Sequence, residues 1–334
     1  MEAVASNQPL LLEIDRLTVD FGTGRRARPA VRGVSLRVYE RQTVGIVGES
    51  GSGKSATALA ILRLLPSPPA VITGRAIFKG DDLLKATSDR LRHVRGGEIG
   101  VVFQDPMSSL NPALTVGFQI AEALRVHTGM SRHASAARAI ELLELVGIPD
   151  ARTRSQNYPH QFSGGMRQRA MIAMALSCRP VLLIADEPTT ALDVTIQAQI
   201  LELLRRLRDE FGMALLLITH DFGVVAGMVD TIHVMYAGQV VETGPVKDVF
   251  RHPGHPYTDG LLHSLPQLGV DKHSLLPAIE GNPTDASHAL PGCPFRPRCP
   301  IAVDRCAIDN PPLMRFGATQ LVACWVRGDA VDTG

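Results

Sequence analysis

The sequence predicts an α/β fold built on a parallel sheet, with a helical insertion and a loop-rich C-terminal region. Short, wholly apolar runs at 44–47 and 181–184 are typical of strands buried in a parallel sheet, and a helical pattern follows each of them. Eleven of the 23 prolines lie between Pro253 and Pro312. Because proline interrupts helices, long helices are excluded from that region.

Predicted strands and helices alternate along the chain. Ala139, Leu142, Leu143 and Val146 lie at i, i+3, i+4 and i+7, which places them on one face of a helix. Pro66 and the prolines after it prevent the first helix from continuing. In chain order, we expect strands and turns over 11–47, a helix over 55–65, a strand-rich stretch over 72–103, helices over 105–161, a strand over 181–184, an amphipathic helix marked by 196–207 and a strand over 214–218.

Composition excludes several classes of protein. With 334 residues, 45% of them hydrophobic and 20% charged, the chain has ample material for a core, so it is not a disordered protein. Basic and acidic residues nearly cancel, 34 against 33, and aromatic residues are only 4%, so we expect no nucleic-acid partner. The chain has no apolar run of about 18–20 residues and no basic segment at Met1–Val4, so we expect a cytosolic protein without a signal peptide.

A phosphate-binding loop is the most specific motif. It follows the strand at 44–47, opens a helix and reads Gly48-Glu49-Ser50-Gly51-Ser52-Gly53-Lys54-Ser55. Glycines let the backbone approach phosphate oxygens closely, and the N–H groups at the start of the helix face the anion. Lys54 is expected to reach the β- and γ-phosphates and Ser55 to ligate Mg²⁺. A glycine-rich turn that binds nothing is disfavoured by this strand–loop–helix context.

Two acidic residues follow the strand at 181–184. Asp186 is placed to hold Mg²⁺, directly or through water, and Glu187 is placed to act as the general base for an attacking water. Alone, this pair is equally consistent with an acidic turn. Together with the phosphate loop it predicts a P-loop ATPase, with a P-loop kinase as an alternative.

A third motif narrows the class. Ser163, Gly164 and Gly165 open a helix within Phe162-Ser163-Gly164-Gly165-Met166-Arg167-Gln168-Arg169. Alone, the serine is best interpreted as a helix N-cap. Since it also occurs in the expected order with the other motifs, the segment resembles the signature of ATP-binding-cassette (ABC) ATPases. A P-loop kinase does not need such a signature. The resemblance implies an ABC-type P-loop NTPase core, in which a RecA-like parallel sheet is joined by an antiparallel β subdomain, with an inserted helical subdomain and a loop-rich C-terminal domain.

Further residues match cassette motifs, and their roles are implied by the resemblance. Gln104 resembles the Q-loop glutamine, which links the γ-phosphate and Mg²⁺ to the helical subdomain. Asp193 resembles the D-loop aspartate, and His220 the switch histidine that contacts the γ-phosphate and orients the water. Phe21 is a candidate for stacking on adenine, and a core phenylalanine is the other interpretation. The resemblance also implies that a second cassette supplies its signature across each sandwiched ATP.

Other segments point to one group of cassettes. They are Tyr158-Pro159-His160-Gln161, Met166, the run from Asp186 to Asp193, Val234-Met235-Tyr236-Ala237-Gly238 and His255-Pro256-Tyr257-Thr258. Together they resemble the ATPase subunits of oligopeptide, dipeptide and nickel importers. The resemblance implies an ATPase core over 1–105 and 162–250, a helical subdomain over 106–161 and an importer-type C-terminal domain over 251–334.

The implied assembly is a membrane importer. Its direct partners would be a second ATPase subunit and two transmembrane permease subunits, and an extracytoplasmic peptide-binding protein would be an indirect partner. The resemblance implies that the second ATPase subunit is a paralogue, so that the two ATPases form a heterodimer. The chain would be peripheral, at the cytoplasmic face of the inner membrane, and its cargo stays open. The alternative is a cassette acting in translation or DNA repair. Repair-type relatives carry long coiled coils, for which the fewer than 60 residues between Gln104 and Ser163 leave no room.

Four of the five cysteines lie near the end of the chain. They are Cys293, Cys299, Cys306 and Cys324, with the spacing C-x5-C-x6-C-x17-C. Because disulfides are rare in a reducing compartment, a cluster of cysteines there suggests a metal centre. Four thiolates suit Zn²⁺ or a [4Fe–4S] cluster. The spacing is not that of a zinc ribbon, and the resemblance favours the iron–sulfur cluster. Four unrelated thiols are the alternative.

Overall fold

The computed structural model describes residues 8–22, 24, 27–190, 192–264, 279–282 and 291–328. The chain divides into two compact units. The first unit comprises residues 1–39, 43–85 and 219–334, and the second comprises 40–42 and 86–218. The predicted three-part division of the chain stays a prediction.

Strands and helices alternate along the described chain. The strands are β1 Leu10–Phe21, β2 Arg28–Tyr39, β3 Thr43–Val47, β4 Ala70–Phe78, β5 Asp81–Asp82, β6 Ile99–Val102, β7 Leu182–Asp186, β8 Ala214–Thr219, β9 Thr231–Tyr236, β10 Gln239–Pro245, β11 Met314–Phe316 and β12 Gln320–Val322. The helices are α1 Lys54–Ile61, α2 Ser88–His93, α3 Pro106–Ser109, α4 Val116–Thr128, α5 Arg132–Leu145, α6 Ala151–Arg154, α7 Gly164–Leu176, α8 Val194–Phe211, α9 Phe222–Ala226, α10 Val246–Arg251, α11 Pro256–His263 and α12 Arg305–Ile308.

The first unit contains an antiparallel sheet in the order β2-β1-β4-β5. Its two longest strands have twelve residues each, so the prediction of short strands over 11–47 was wrong in length. In β1 the residues of one face are buried up to Ile14, and burial resumes at Leu17 rather than at Arg16. The register shifts at this point and Arg16 has a φ of 47°, so a bulge returns the apolar residues to the buried face.

A second set of strands in the first unit carries the order β11-β12-β10-β9-β3. Strand β3 pairs with β9 in parallel, and the other neighbours pair antiparallel. The hairpin β11–β12 was not predicted. Among the described residues after 250, helix α11 has eight residues, which agrees with the expectation that the prolines prevent long helices there.

The C-terminal region is tied to β10 by a buried carboxylate. Glu242 Oε1 and Oε2 accept hydrogen bonds from the backbone N–H groups of Gly254 (2.6 Å) and His255 (2.9 Å). The side chain of Gln320, in β12, also donates to Glu242 at 3.3 Å. Because this carboxylate is fully buried, its hydrogen-bond partners compensate for the loss of water.

The second unit contains the parallel strands β8-β7-β6 and the helices between them. Three of the strand residues predicted at 181–184 lie in β7, which is wholly buried. The predicted helical region over 105–161 contains α3 to α6, and the predicted strand-rich stretch is interrupted by α2. The long helices begin where a short polar side chain accepts a backbone N–H, at Thr115, Ser131, Ser163 and Asp193.

The parallel strands and intervening helices confirm the α/β class that the sequence predicts. In the part of the chain that the structure describes, no helix combines the length and the apolar character needed to cross a bilayer.

A histidine is buried in the first unit without polar compensation. His233 lies in β9, and neither of its ring nitrogens has a hydrogen-bond partner among the described residues. Burial lowers the pKa of His233 to about 4. Burial also lowers the pKa of His255, to about 3. Both side chains are therefore neutral in the folded protein near neutral pH.

We predict that the stability of the first unit falls as the pH falls from about 7 toward 4. A histidine in the unfolded chain binds a proton near pH 6.5, whereas folded His233 does so only near pH 4. Its contribution is therefore complete above the unfolded pKa and is lost as the pH drops. His233→Leu should lower the slope of unfolding free energy against pH by up to about 1.4 kcal/mol per pH unit. Urea unfolding at pH 7.5, 6.5 and 5.5 measures this slope.

The matched control is His133→Leu, which changes an exposed histidine of α5. This control should retain the slope of the unmodified protein. An unchanged slope in His233→Leu would show that another group carries the acid sensitivity.

Candidate nucleotide-binding site

The phosphate loop connects β3 to α1 in the first unit, as the sequence predicts. Gly48 has a φ of 154° and Gly53, at the N-cap of α1, has a φ of 97°. A Cβ atom at Gly48 would overlap the backbone oxygen of Met235, and one at Gly53 would overlap that of Ala30. Only glycine satisfies both the backbone conformation and the lack of space at these positions.

The interior of the loop has the features of an anion site. Lys54 is 4% exposed, and its Nζ donates to the backbone oxygens of Gly48 (2.8 Å) and Glu49 (2.9 Å). The buried hydroxyl of Ser52 has no hydrogen-bond partner among the residues described. At the exposed Gly51, with a φ of 80°, no heavy atom lies within 4 Å of the position a Cβ would take. An ammonium group and an unpaired hydroxyl within one glycine-rich loop are groups that suit a phosphate.

In the second unit, the structure brings the predicted general base together with the predicted Q-loop glutamine. Gln104 Nε2 donates to Glu187 Oε2 at 2.8 Å, and Thr190 Oγ1 donates to the same oxygen at 2.9 Å. Glu187 follows the buried Asp186 at the end of β7, and its N–H donates to the oxygen of Ile218 at 2.8 Å.

The backbone of Glu187 is in an unfavourable conformation. Its φ of 46° lies in the left-handed region that residues with a Cβ avoid. Such conformations persist where the surrounding structure imposes them, and they are concentrated at functional sites. Thr190 was not identified from the sequence as a contact of Glu187, although it lies in the run from Asp186 to Asp193 that supported the resemblance.

The signature residues lie at the beginning of α7. Ser163 is exposed, and its hydroxyl accepts a hydrogen bond from the N–H of Met166. Ser163 is therefore the N-cap of α7 in this chain. A Cβ at Gly165 would lie 2.9 Å from Ile196 Cγ2, so α7 and α8 approach closely there. Asp193 caps α8 by accepting the N–H of Ile196 at 3.0 Å, and the next residue, Val194, is 82% exposed. The roles of Ser163, Gly164, Gly165 and Asp193 across an ATP stay predictions.

Two further candidates lie at the ends of strands. His220 is exposed directly after β8, and Phe21 is half-buried at the end of β1. The assignment of His220 as the switch histidine stays a prediction. For Phe21, the core and the adenine-stacking interpretations both stay open.

The predicted Mg²⁺ ligands are a hydroxyl, an amide and a carboxylate. Ser55 belongs to the first unit, and Gln104 and Asp186 belong to the second. Oxygen donors of this kind suit Mg²⁺, so the residue types fit the ion and its site stays a prediction.

The prediction of a four-cysteine metal centre was wrong. Cys293, Cys299, Cys306 and Cys324 line one cavity, whose 10 Å³ is enough for about one water molecule. Within the described residues, no group of three or more His, Cys, Asp or Glu side chains is placed to hold a metal ion. Burial raises the pKa of Cys293 to about 11 and also raises that of Cys299. The described residues therefore contain no site for the predicted [4Fe–4S] cluster.

Comparison with known proteins decides the family. A family model for the ABC transporter matches residues 31–190, and a model for the C-terminal region of oligopeptide/dipeptide transporters matches residues 241–306. A Brucella melitensis protein, named for peptide import and ATP binding, is 52% identical over 319 residues, which cover 92% of this chain and 94% of the relative. The chain belongs to the ABC transporter ATP-binding proteins. The dipeptide transport ATP-binding protein of Bacillus subtilis is 49% identical, with 96% of each chain covered.

A solved structure supports the same family and confirms the predicted cassette fold. The ATP-binding cassette MJ0796, in a dimeric post-hydrolysis state with ADP and Pi, matches with a TM-score of 0.63 at 30% identity. The match covers 71% of this chain and 99% of that cassette. The predicted ABC-type P-loop NTPase fold is therefore correct, and this chain is longer than the cassette alone.

We predict that Lys54→Ala abolishes tight ATP binding. The substitution removes the buried ammonium group of the phosphate loop, and no other side chain of the loop carries a positive charge. Titration with a fluorescent ATP analogue measures the dissociation constant. Lys85→Ala, which changes an exposed lysine of the same unit, should bind as the unmodified protein does. Retained micromolar affinity in Lys54→Ala would contradict the assignment of the loop.

Proposed function

We propose that this chain is the ATP-binding and ATP-hydrolysing subunit of a membrane importer for peptides. The observation that carries the proposal is the 52% identity, across 92% of the chain, to a protein named for peptide import and ATP binding. The match of 241–306 to the C-terminal region of oligopeptide/dipeptide transporters supports the same substrate class. The cargo within that class is left open.

The residues of the phosphate loop bind the nucleotide. Lys54, which contacts two loop carbonyls, exchanges these contacts for phosphate oxygens when ATP enters, and Ser52 gains a partner for its hydroxyl. The N–H groups at the start of α1 face the phosphates. Ser55, Gln104 and Asp186 would hold Mg²⁺, which would supply positive charge to neutralise the phosphates.

Glu187 acts as the general base. In the structure its carboxylate accepts hydrogen bonds from Gln104 and Thr190, which fix the position of one oxygen. The same residue then takes the proton of the attacking water, and His220 orients that water toward the γ-phosphate. Because Gln104 contacts Glu187 directly, movement of the segment that carries Gln104 changes the environment of the base.

Transport requires a second cassette. Ser163, Gly164 and Gly165 of each subunit would contact the ATP held by the other subunit, so that a pair of cassettes holds two composite sites. The exposed Asp193 and Val194 stand beside this signature surface. We propose that the second cassette is a paralogue and that ATP closes the heterodimer, whereas hydrolysis reopens it.

The remaining partners are membrane proteins. Two permease subunits form the path for the peptide, and an extracytoplasmic binding protein delivers it. We propose that residues 106–161 contact the permeases, with the ATPase core at 1–105 and 162–250 and the importer-type domain at 251–334. The chain would lie at the cytoplasmic face of the inner membrane. No relative reported above supports the alternative of a cassette that acts in translation or DNA repair.

We predict that Glu187→Gln slows ATP turnover at least about 100-fold while ATP binding survives, because the amide keeps the shape of the side chain and loses the base. Phosphate release, together with the ATP retained after gel filtration of the assembled complex, measures both effects. The control is Glu210→Gln, an exposed glutamate at the end of α8. Unmodified turnover in Glu187→Gln would exclude the proposed role of this residue.

The partner assignment is tested by affinity purification of the tagged chain from native membranes. We expect two polytopic membrane proteins and a second cassette to copurify, and we expect peptide uptake by vesicles from the same membranes to be lost in the Lys54→Ala strain. Copurification of ribosomal subunits or DNA without any permease would overturn the importer proposal in favour of the alternative.

A further inference from the structure

The second residue of the phosphate loop is held by the C-terminal region. Arg298, which is 249 residues away in sequence, donates from Nη1 to Glu49 Oε2 at 2.8 Å and from Nη2 to Glu49 Oε1 at 3.1 Å. The ion pair is therefore bidentate. This geometry gives arginine–carboxylate pairs both strength and a defined orientation.

Arg298 is itself fixed from several sides. Its side chain is 4% exposed, and it also donates to the backbone oxygens of Glu280 (3.1 Å) and Ile279 (3.3 Å). Its guanidinium lies 5.9 Å from the ring centres of both Tyr236 and Phe295. Burial opposes the charge of Arg298, but hydrogen bonds to Glu49 and Tyr236 outweigh it and raise the pKa of the guanidinium. Arg298 is thus a charged and immobile partner for Glu49.

A second residue of the C-terminal region holds the backbone of the loop. The N–H of Glu49 donates to the hydroxyl oxygen of Tyr257, in α11, at 2.9 Å. Tyr257 is fully buried, and its ring packs against those of Tyr236 and Phe295. The side chain and the N–H of Glu49 are therefore both bound by residues of 251–334.

Glu49 connects these contacts to the lysine that meets the nucleotide. Its backbone oxygen accepts a hydrogen bond from Lys54 Nζ at 2.9 Å, and Gly48 accepts the other. A shift of Glu49 would therefore change both the path of the loop and the starting position of the ammonium group. Arg298 and Tyr257 thus both bind the phosphate loop at Glu49.

We propose that Arg298 is a positioning residue: through Glu49 it holds the phosphate loop in the shape that binds ATP, with Tyr257 as its second support, so that ATP affinity depends on the C-terminal region. This proposal rests on the ATP binding proposed above. It assigns the C-terminal region a role in nucleotide binding, in addition to any role in transport.

The test is a double-mutant cycle on the full-length protein. We expect Arg298→Gln and Glu49→Gln each to weaken ATP affinity about tenfold, and the double variant to be no weaker than either single one, because both changes break the same contact. Isothermal titration with Mg-ATP, well below the unfolding temperature, measures the dissociation constants. Arg315→Gln, which changes an exposed arginine of β11, is the matched control and should not alter the affinity.

A second readout separates positioning from folding. Amide hydrogen exchange of residues 48–53 should accelerate in Arg298→Gln while exchange in β1 and β4 stays unchanged. If Arg298→Gln unfolds, Tyr257→Phe tests the same support, since it removes only the hydroxyl that accepts the N–H of Glu49. Unchanged affinity and unchanged loop exchange in these variants would overturn the proposal.

The two proposals fail in distinguishable ways. If Lys54→Ala retains its affinity, the nucleotide site itself is wrongly assigned. If Lys54→Ala loses affinity and Arg298→Gln does not, the nucleotide site stands and only the role of Arg298 is excluded.

Discussion

Close contact between backbone segments around the phosphate loop is the constraint on which the first unit depends. Gly48 and Gly53 leave no room for a Cβ because the carbonyl oxygens of Met235 and Ala30 stand directly behind them. Gly238 donates its N–H to the oxygen of Ser52 at 3.0 Å, which joins the turn between β9 and β10 to the loop. The loop is thus shaped by backbone segments from distant parts of the chain.

Local patterns predicted the elements that local interactions determine. The strand–loop–helix context of Gly48 to Ser55, the buried strand at 181–184 and the cap Ser163 each depend on a few neighbouring residues. Their positions could therefore be predicted from the sequence. The first helix ends at Ile61, earlier than the predicted 65, because the chain turns through Arg63, whose φ is 51°. Turns made by residues other than glycine and proline leave little trace in a sequence pattern.

Features that depend on distant contacts could not be predicted in this way. Arg298 and Glu49 are 249 residues apart in sequence, and the residues around each of them do not indicate that the two side chains form a pair. The hairpin β11–β12 has strands of three residues, which are too short for a period-two pattern to appear. The cysteine spacing suggested a metal centre because spacing alone cannot show how the four side chains are arranged in the folded chain.

Glu187 illustrates how sequence and structure contribute different information. Its position after a buried strand identified it as a candidate base, but the sequence could not show that its backbone is in the left-handed region. Nor could it show that Gln104 and Thr190 share one oxygen of its carboxylate. These hydrogen bonds make Glu187 part of a small polar network, so the reactivity of its carboxylate also depends on Gln104 and Thr190.

The pairing of β12 with β10 has a consequence for how this region can evolve. Glu242 and Thr243 of β10 pair with Val322 and Leu321, so the hairpin covers what would otherwise be an open strand edge. The outermost described strand is then β11, a three-residue segment with a central exposed arginine, and short charged edges of this kind resist pairing with other chains. A chain that lost the hairpin would gain an edge prone to aggregation, and the buried Glu242 would lose the hydrogen bond from Gln320. The C-terminal region is therefore not an interchangeable appendage, and natural shortening of it would require compensating changes in β10.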